Sequence, residues 1–97
     1  MPLEEDILEQ VRADFPAKAV RGVSESLSSL PHGARIRRCI VVAARGRIRH
    51  FKYFCRLADQ DYRDLIVAAE YDGSGRRQYD FNRPIPEARI DPPEGPG

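Results

Sequence analysis

A chain of 97 residues with a formal net charge of +1 has room for one hydrophobic core, and its 41% hydrophobic and 32% charged residues are those of an ordinary globular domain. The chain has no run of about 18 apolar residues, which excludes a membrane-spanning helix, and the start MPLEED lacks the basic and apolar segments of a signal peptide. The expected location is therefore the cytoplasm. Two cysteines, Cys39 and Cys55, without C-x-x-C spacing indicate neither a disulfide framework nor a zinc module, and both are expected to be free, buried thiols.

Leu3 to Phe15 reads as a first helix. Glu4, Glu5 and Asp6 complement the positive end of its dipole, and Ile7, Leu8, Val11 and Phe15 form one apolar stripe. Pro16 then opens a second helix from the first-turn position that tolerates proline. There Val20, Val23, Leu27 and Leu30 keep helical spacing, although Gly22 and the serines at 24, 26, 28 and 29 lower its intrinsic stability. Pro31-His32-Gly33 is a turn.

Residues 33–58 admit two readings. As helices, Ile36, Cys39, Ile40 and Ala43 share a face, Gly46 caps the end, and a following helix places Ile48, Phe51, Phe54, Cys55 and Ala58 together. As a β-hairpin at 35–57, the β-branched run around Cys39-Ile40-Val41-Val42 pairs with the alternating Phe51, Tyr53, Cys55 and Leu57 across a turn at Ala44–Arg47. The helical reading leaves the charges more tidily on one side.

The best-defined stripe is that of Asp59–Asp72, where Tyr62, Leu65, Ile66 and Ala69 fall at i, i+3, i+4 and i+7. Asp59 and Asp61 are placed to cap its start, Asp59 to pair with Arg63, and Gly73 to supply a left-handed stop. Ile66 is expected to be among the most buried residues. Beyond Gly75 five prolines interrupt the sequence, so Tyr79, Phe81 and Ile85 are expected to dock back without regular structure, against Val67 and Tyr71. Residues 1–86 are expected to form one domain and 87–97 a disordered Pro/Gly-rich tail. The fold expected is an all-α compact bundle of four to five short helices with an irregular C-terminal segment, the alternative being α+β around the hairpin.

RRCIVVAARG followed by DYRDLIVAAEYD and DFNRPI resembles the core of small, largely helical, functionally uncharacterised bacterial proteins. The resemblance covers about residues 35 to 85. It implies a helical fold and no particular chemistry.

Charge is segregated. Residues 33–58 hold eight Arg or Lys and no Asp or Glu, whereas the rest of the chain carries a net −7. Arg35, Arg38, Arg45, Arg49, Lys52 and Arg56 thus form a candidate basic binding face, to which Tyr53 could add base stacking. A solvated face balanced by the acidic helices is the competing reading, and the near-neutral total disfavours a dedicated nucleic-acid binder. Asp59, Asp61, Asp64, Glu70 and Asp72 could supply a cation site or an acid/base pair, but their positions suit helix capping better. His32 and His50 lack metal-ligand spacing, and no phosphate loop is present. No catalytic residue, cofactor or metal is expected. By elimination, the expected function is a protein-interaction or regulatory domain, binding an unknown protein or itself, with Val41, Leu57 and Val67 as the apolar residues off their helices' main stripes.

Overall fold

A computed structural model describes residues 3–90 as an all-α bundle: α1 Glu5–Asp14, α2 Ala17–Ser29, α3 Ala34–Ala44 and α4 Ile48–Glu70, followed by a short 3-10 turn at Ile85–Glu87. Residues 36–43 and 49–57 are helical throughout, so the hairpin alternative is discarded. The four helices fall within the four to five expected, and the two segments read on either side of Asp59 are one 23-residue element with a kink. The kink is at Asp61, whose backbone is extended (φ −158°, ψ 91°) and whose Oδ1 accepts the Arg63 N–H at 3.0 Å. Asp61 thus caps a helix start inside α4. Asp59 instead bonds His32 Nε2 at 3.0 Å rather than Arg63.

The central element is α3. Ile36, Arg38, Cys39, Ile40, Val41 and Ala44 are all buried, so the helix is enclosed on nearly every side. This is why Cys39-Ile40-Val41 reads as a continuous apolar run: a helix surrounded by others needs no polar stripe. Val41, expected at the surface, is fully buried for the same reason. Around α3 lie Ile7, Val11 and Phe15 of α1, Val23 and Leu27 of α2, and Phe51, Ala58 and Leu65 of α4. Phe15 meets Phe51 edge to face, with ring centroids 5.8 Å apart.

The α3–α4 turn is fixed by backbone. Arg45 (φ 50°) and Gly46 (φ 76°) both take left-handed conformations. A Cβ on Gly46 would lie 2.1 Å from the Asp14 carbonyl oxygen, so only glycine lets the turn seat against the end of α1.

At the other end α4 stops at Glu70, and Tyr71 is already extended. Gly73 is not a left-handed cap. The turn that follows is built by Asp72, whose Oδ1 accepts the N–H groups of Ser74 (2.8 Å) and Arg76 (3.0 Å), while Gly75 takes the positive φ. Isolated bridges then pair Tyr71 with Arg77 and Tyr79 with Arg89. Phe81 is fully buried in the main core, not on Val67 and Tyr71, which stay exposed. The expected tail begins too early at residue 87: Ala88 is buried, its carbonyl accepts the Asp80 N–H at 2.8 Å, and Ile90 N–H bonds the Gln78 carbonyl at 2.9 Å. The rest of that tail, residues 91–97, lies outside the described residues.

Within α4, Leu65 is completely buried whereas Ile66 is only half-buried and Tyr62 is exposed, which corrects the expected centre of that stripe by one residue. The interruption at Asp61 resets the helical phase. We predict that Leu65→Ala costs about 2–5 kcal/mol, as a large-to-small change in a closed core, and that Ile66→Ala costs distinctly less. Urea denaturation of the two variants checks the order; an equal or reversed order would show that the second half of α4 packs by Ile66.

Candidate binding surface

The basic middle of the sequence divides into two groups. Arginines at the start of α3 face carboxylates brought from both ends of the chain. Arg35 gives Nε and Nη2 to the Glu70 carboxylate (3.0 and 2.9 Å), Arg37 gives the same pair to Glu4 (3.3 and 3.0 Å), and Arg38 gives them to Asp6 (2.8 and 3.2 Å). These are fork-to-fork pairs, the strongest arrangement available to a guanidinium. Arg38 is 8% exposed and also donates to the Phe81 carbonyl at 3.1 Å. Arg35 and Arg38 therefore do not belong to an open basic face; the acidic start of α1 and the end of α4 take them up.

Glu70 is the deepest charge. It has no solvent exposure and accepts from Arg35, from Arg77 Nη2 (2.9 Å) and from the Phe81 N–H (3.2 Å). Burial works to raise its pKa, but the two guanidiniums and the Phe81 amide outweigh it and hold the carboxyl below its ordinary 4.5. Asp6 is similar: burial opposes, while Arg38 and the Ile85 N–H (3.0 Å) prevail and lower it. The candidate cation-site carboxylates do not converge. Asp59 bonds His32, Asp61 caps, Asp64 is exposed, Glu70 sits among arginines and Asp72 builds a turn. Among the described residues no three His, Cys, Asp or Glu side chains are grouped to hold a metal.

The second group is Arg45, Arg47, Arg49, Lys52 and Arg56, in the α3–α4 turn and the first half of α4. All five are exposed, and none has a carboxylate within ion-pair distance among the described residues. Arg49, Lys52 and Arg56 fall on one side of the helix and make a ridge, with Tyr53 (53% exposed) beside them, its ring edge-on to Phe54 at 5.2 Å.

The ridge has a groove on each flank. Toward α2, an apolar trough is lined by Ala19, Gly22, Val23, Ser26, Ile48 and Phe51, with Lys52 at its edge and a cavity of about 400 Å³. It continues into one of about 340 Å³ that shares Ser26, Phe51 and Lys52 and adds Leu30, Cys55 and Arg56. The trough exists because α2 presents small residues: nothing lies within 4 Å of where a Gly22 Cβ would be. Sequence reasoning read Gly22 and the serines only as weak helix formers, although Ala19, Gly22 and Ser26 recur at i, i+3 and i+7. It also placed Ile48 in the core, where the structure leaves it 37% exposed. Cys39 and Cys55 are unpaired, the first buried and the second half-buried in the trough wall; burial pushes the Cys55 thiol up to about 11 and the Cys39 thiol up to about 12, so both stay protonated near neutral pH.

Toward α3, the ridge borders a cleft lined by Ala43, Arg45, Arg47, His50 and Phe54. The described helices include none long and apolar enough to cross a membrane. No family model matches the chain, and no curated protein or solved structure is significantly similar to it.

The buried charge network makes a prediction about acid. Glu70, Asp6 and Glu4, the last held down chiefly by Arg37, all have lowered pKa values in the folded protein. Their contribution is complete above the ordinary carboxylate range and is lost as pH falls through it toward the lowered values. Glu70→Gln should cost about 2–3 kcal/mol near neutral pH, less than a fully enclosed pair because water partly screens both arginines. It should also flatten the decline of stability on acidification from pH 5. Chemical denaturation at several pH values measures both; an unaltered acid limb would mean that Glu70 does not carry it.

Proposed function

We propose that the protein is a small cytoplasmic interaction module, without catalytic activity, that receives an acidic amphipathic helix of a partner protein in the α2–α4 trough. The observation that carries this reading is an apolar trough left unfilled by the chain's own side chains and edged along α4 by Lys52 and Arg56. Helix-in-groove recognition needs such a strip for anchors at i, i+3 or i+4, and i+7. Gly22 supports it as well, because a mid-helix glycine costs about 1 kcal/mol relative to alanine and nothing inside this protein requires it. The charge on the α4 rim selects the occupant: a helix with glutamate or aspartate beside its apolar stripe gains steering and orientation, and a basic one is repelled. Two unpaired thiols are consistent with a reducing compartment. A nucleic-acid role is disfavoured by the three α3 arginines, which are engaged internally.

The test is a titration of the full chain with a designed helical peptide bearing leucines at i, i+4 and i+7 and flanking glutamates, alongside a peptide with lysines in their place. The acidic peptide should bind and the basic one should not. Ser26→Trp, which fills the trough, should weaken binding at least tenfold, since a lost anchor of about 1.5–3 kcal/mol corresponds to that factor or more. Lys52→Glu should weaken it in a salt-dependent way. Equal binding of both peptides, indifference to Ser26→Trp, or a dimer at micromolar concentration that buries the trough would overturn the proposal.

A further inference from the structure

The cleft on the other flank of the α4 ridge carries a separate inference, independent of the trough and its occupant. Its basic end is formed by Arg45, Arg47 and His50, and Ala43 and Phe54 floor it, in a cavity of about 440 Å³. A second cavity of about 350 Å³ shares Ala43, Arg45 and Phe54 and runs on between Val42, Ala68, Ala69 and Tyr79. The shared residues make the two cavities one cleft with a cationic end and an apolar, aromatic end. Each is within the range of about 300–1,000 Å³ usual for small-molecule sites.

No acidic residue lines either part. Arg35, Arg37 and Arg38, a few residues earlier on α3, each have a carboxylate, whereas Arg45 and Arg47 have none among the described residues. Asp14, whose carbonyl abuts Gly46, has its carboxylate on the Gln10 side-chain amide at 2.8 Å. The turn fixes the backbone that carries these groups. Arg45 has φ 50°, a conformation that disfavours arginine, and Gly46 is locked against α1, so the two arginines flank a pinned glycine and not a free loop. Two guanidiniums without a carboxylate and an imidazole lining one cavity favour an anion with several acceptor oxygens. The floor of Phe54 and the wall of Tyr79 favour a flat aromatic face attached to it.

We propose that this cleft binds a phosphate monoester carrying a flat aromatic ring, of which a nucleoside monophosphate is the common example: phosphate on Arg45, Arg47 and His50, and the aromatic face of the base on Phe54 and Tyr79. The test is a 15N NMR titration of the full chain with AMP, adenosine and inorganic phosphate. AMP should give saturable shifts at Arg45, Arg47, His50, Phe54 and Ala69. Adenosine and inorganic phosphate, each lacking one half of the ligand, should bind at least roughly tenfold more weakly, as expected when charge-assisted hydrogen bonds or a stacked ring are lost. Arg45→Asn, which keeps a residue tolerant of the left-handed conformation, and Arg47→Gln should each weaken AMP by about tenfold. The rest of the spectrum reports that the fold is unchanged. A phosphorylated against an unphosphorylated 5′ end of a trinucleotide distinguishes a strand terminus from the free mononucleotide as the source of the phosphate. No saturable shifts at millimolar AMP, adenosine or phosphate binding as tightly as AMP, or undiminished AMP binding by the Arg45→Asn, Arg47→Gln double variant would overturn the assignment.

Discussion

The structure depends on a carboxylate placed where no solvent reaches it. Glu70 ends α4, and its two oxygens receive Arg35 from the start of α3, Arg77 from the returning C-terminal segment and the Phe81 backbone amide. A lone buried carboxylate would be prohibitive; one with two guanidiniums and an amide is satisfied, and the position of each partner is thereby specified. The Phe81 N–H bond seats the adjacent Phe81 ring in the core, stacked with Tyr79 at 5.1 Å. Asp6 repeats the device at the other terminus, joining Arg38 of α3 to the Ile85 amide. An irregular segment with little apolar surface is thus fixed by two charged clamps, both anchored on α3.

That arrangement accounts for the segregation of charge along the chain. A central helix in a bundle is expected to be apolar, yet α3 begins Ala-Arg-Ile-Arg-Arg. Arginine serves there because its long apolar stem packs against neighbours while its planar head reaches a carboxylate with two parallel hydrogen bonds. The acidic N-terminal residues of α1 have two roles at once: they complement the α1 dipole and they pair with α3. Near neutrality of the whole chain therefore follows from pairing inside the fold for the first three arginines of the basic middle. The other five basic residues, from Arg45 to Arg56, have none of these carboxylates as partners and stand exposed in the α3–α4 turn and on the first half of α4.

How much of this was legible in the sequence depends on the kind of signal. Stripes of period 3.6 marked all the helical ground, because burying one face imposes that period whatever the neighbours are. The split of α4 at Asp59 was a partial reading of a real feature: the capping chemistry was there, two residues later at Asp61, but the helix resumes across it. Cys39-Ile40-Val41 suggested a strand because a helix buried on all sides and a buried strand share one composition. The Glu70 and Asp6 clamps were not readable. Their partners are 35 and 32 residues away in the chain, and an isolated Glu or Asp in a helix's terminal turn looks the same whether solvated or buried. For the candidate face, the arginines were found but not divided into engaged and open ones, since pairing is a property of the tertiary fold.

Both grooves trace first to backbone features. The trough exists because Ala19, Gly22 and Ser26 put little volume between α2 and the first turns of α4; the cleft exists because a three-residue turn, closed by Gly46 against Asp14, brings Arg45, Arg47 and His50 to one side of Phe54. The trough, walled by helix faces, is largely preformed, whereas the arginines of the cleft are ordered by what they bind. The two hollows also share a wall. Phe54 faces the cleft and Phe51 the trough, one helical turn apart on the same half of α4, with the ridge of Arg49, Lys52 and Arg56 between them.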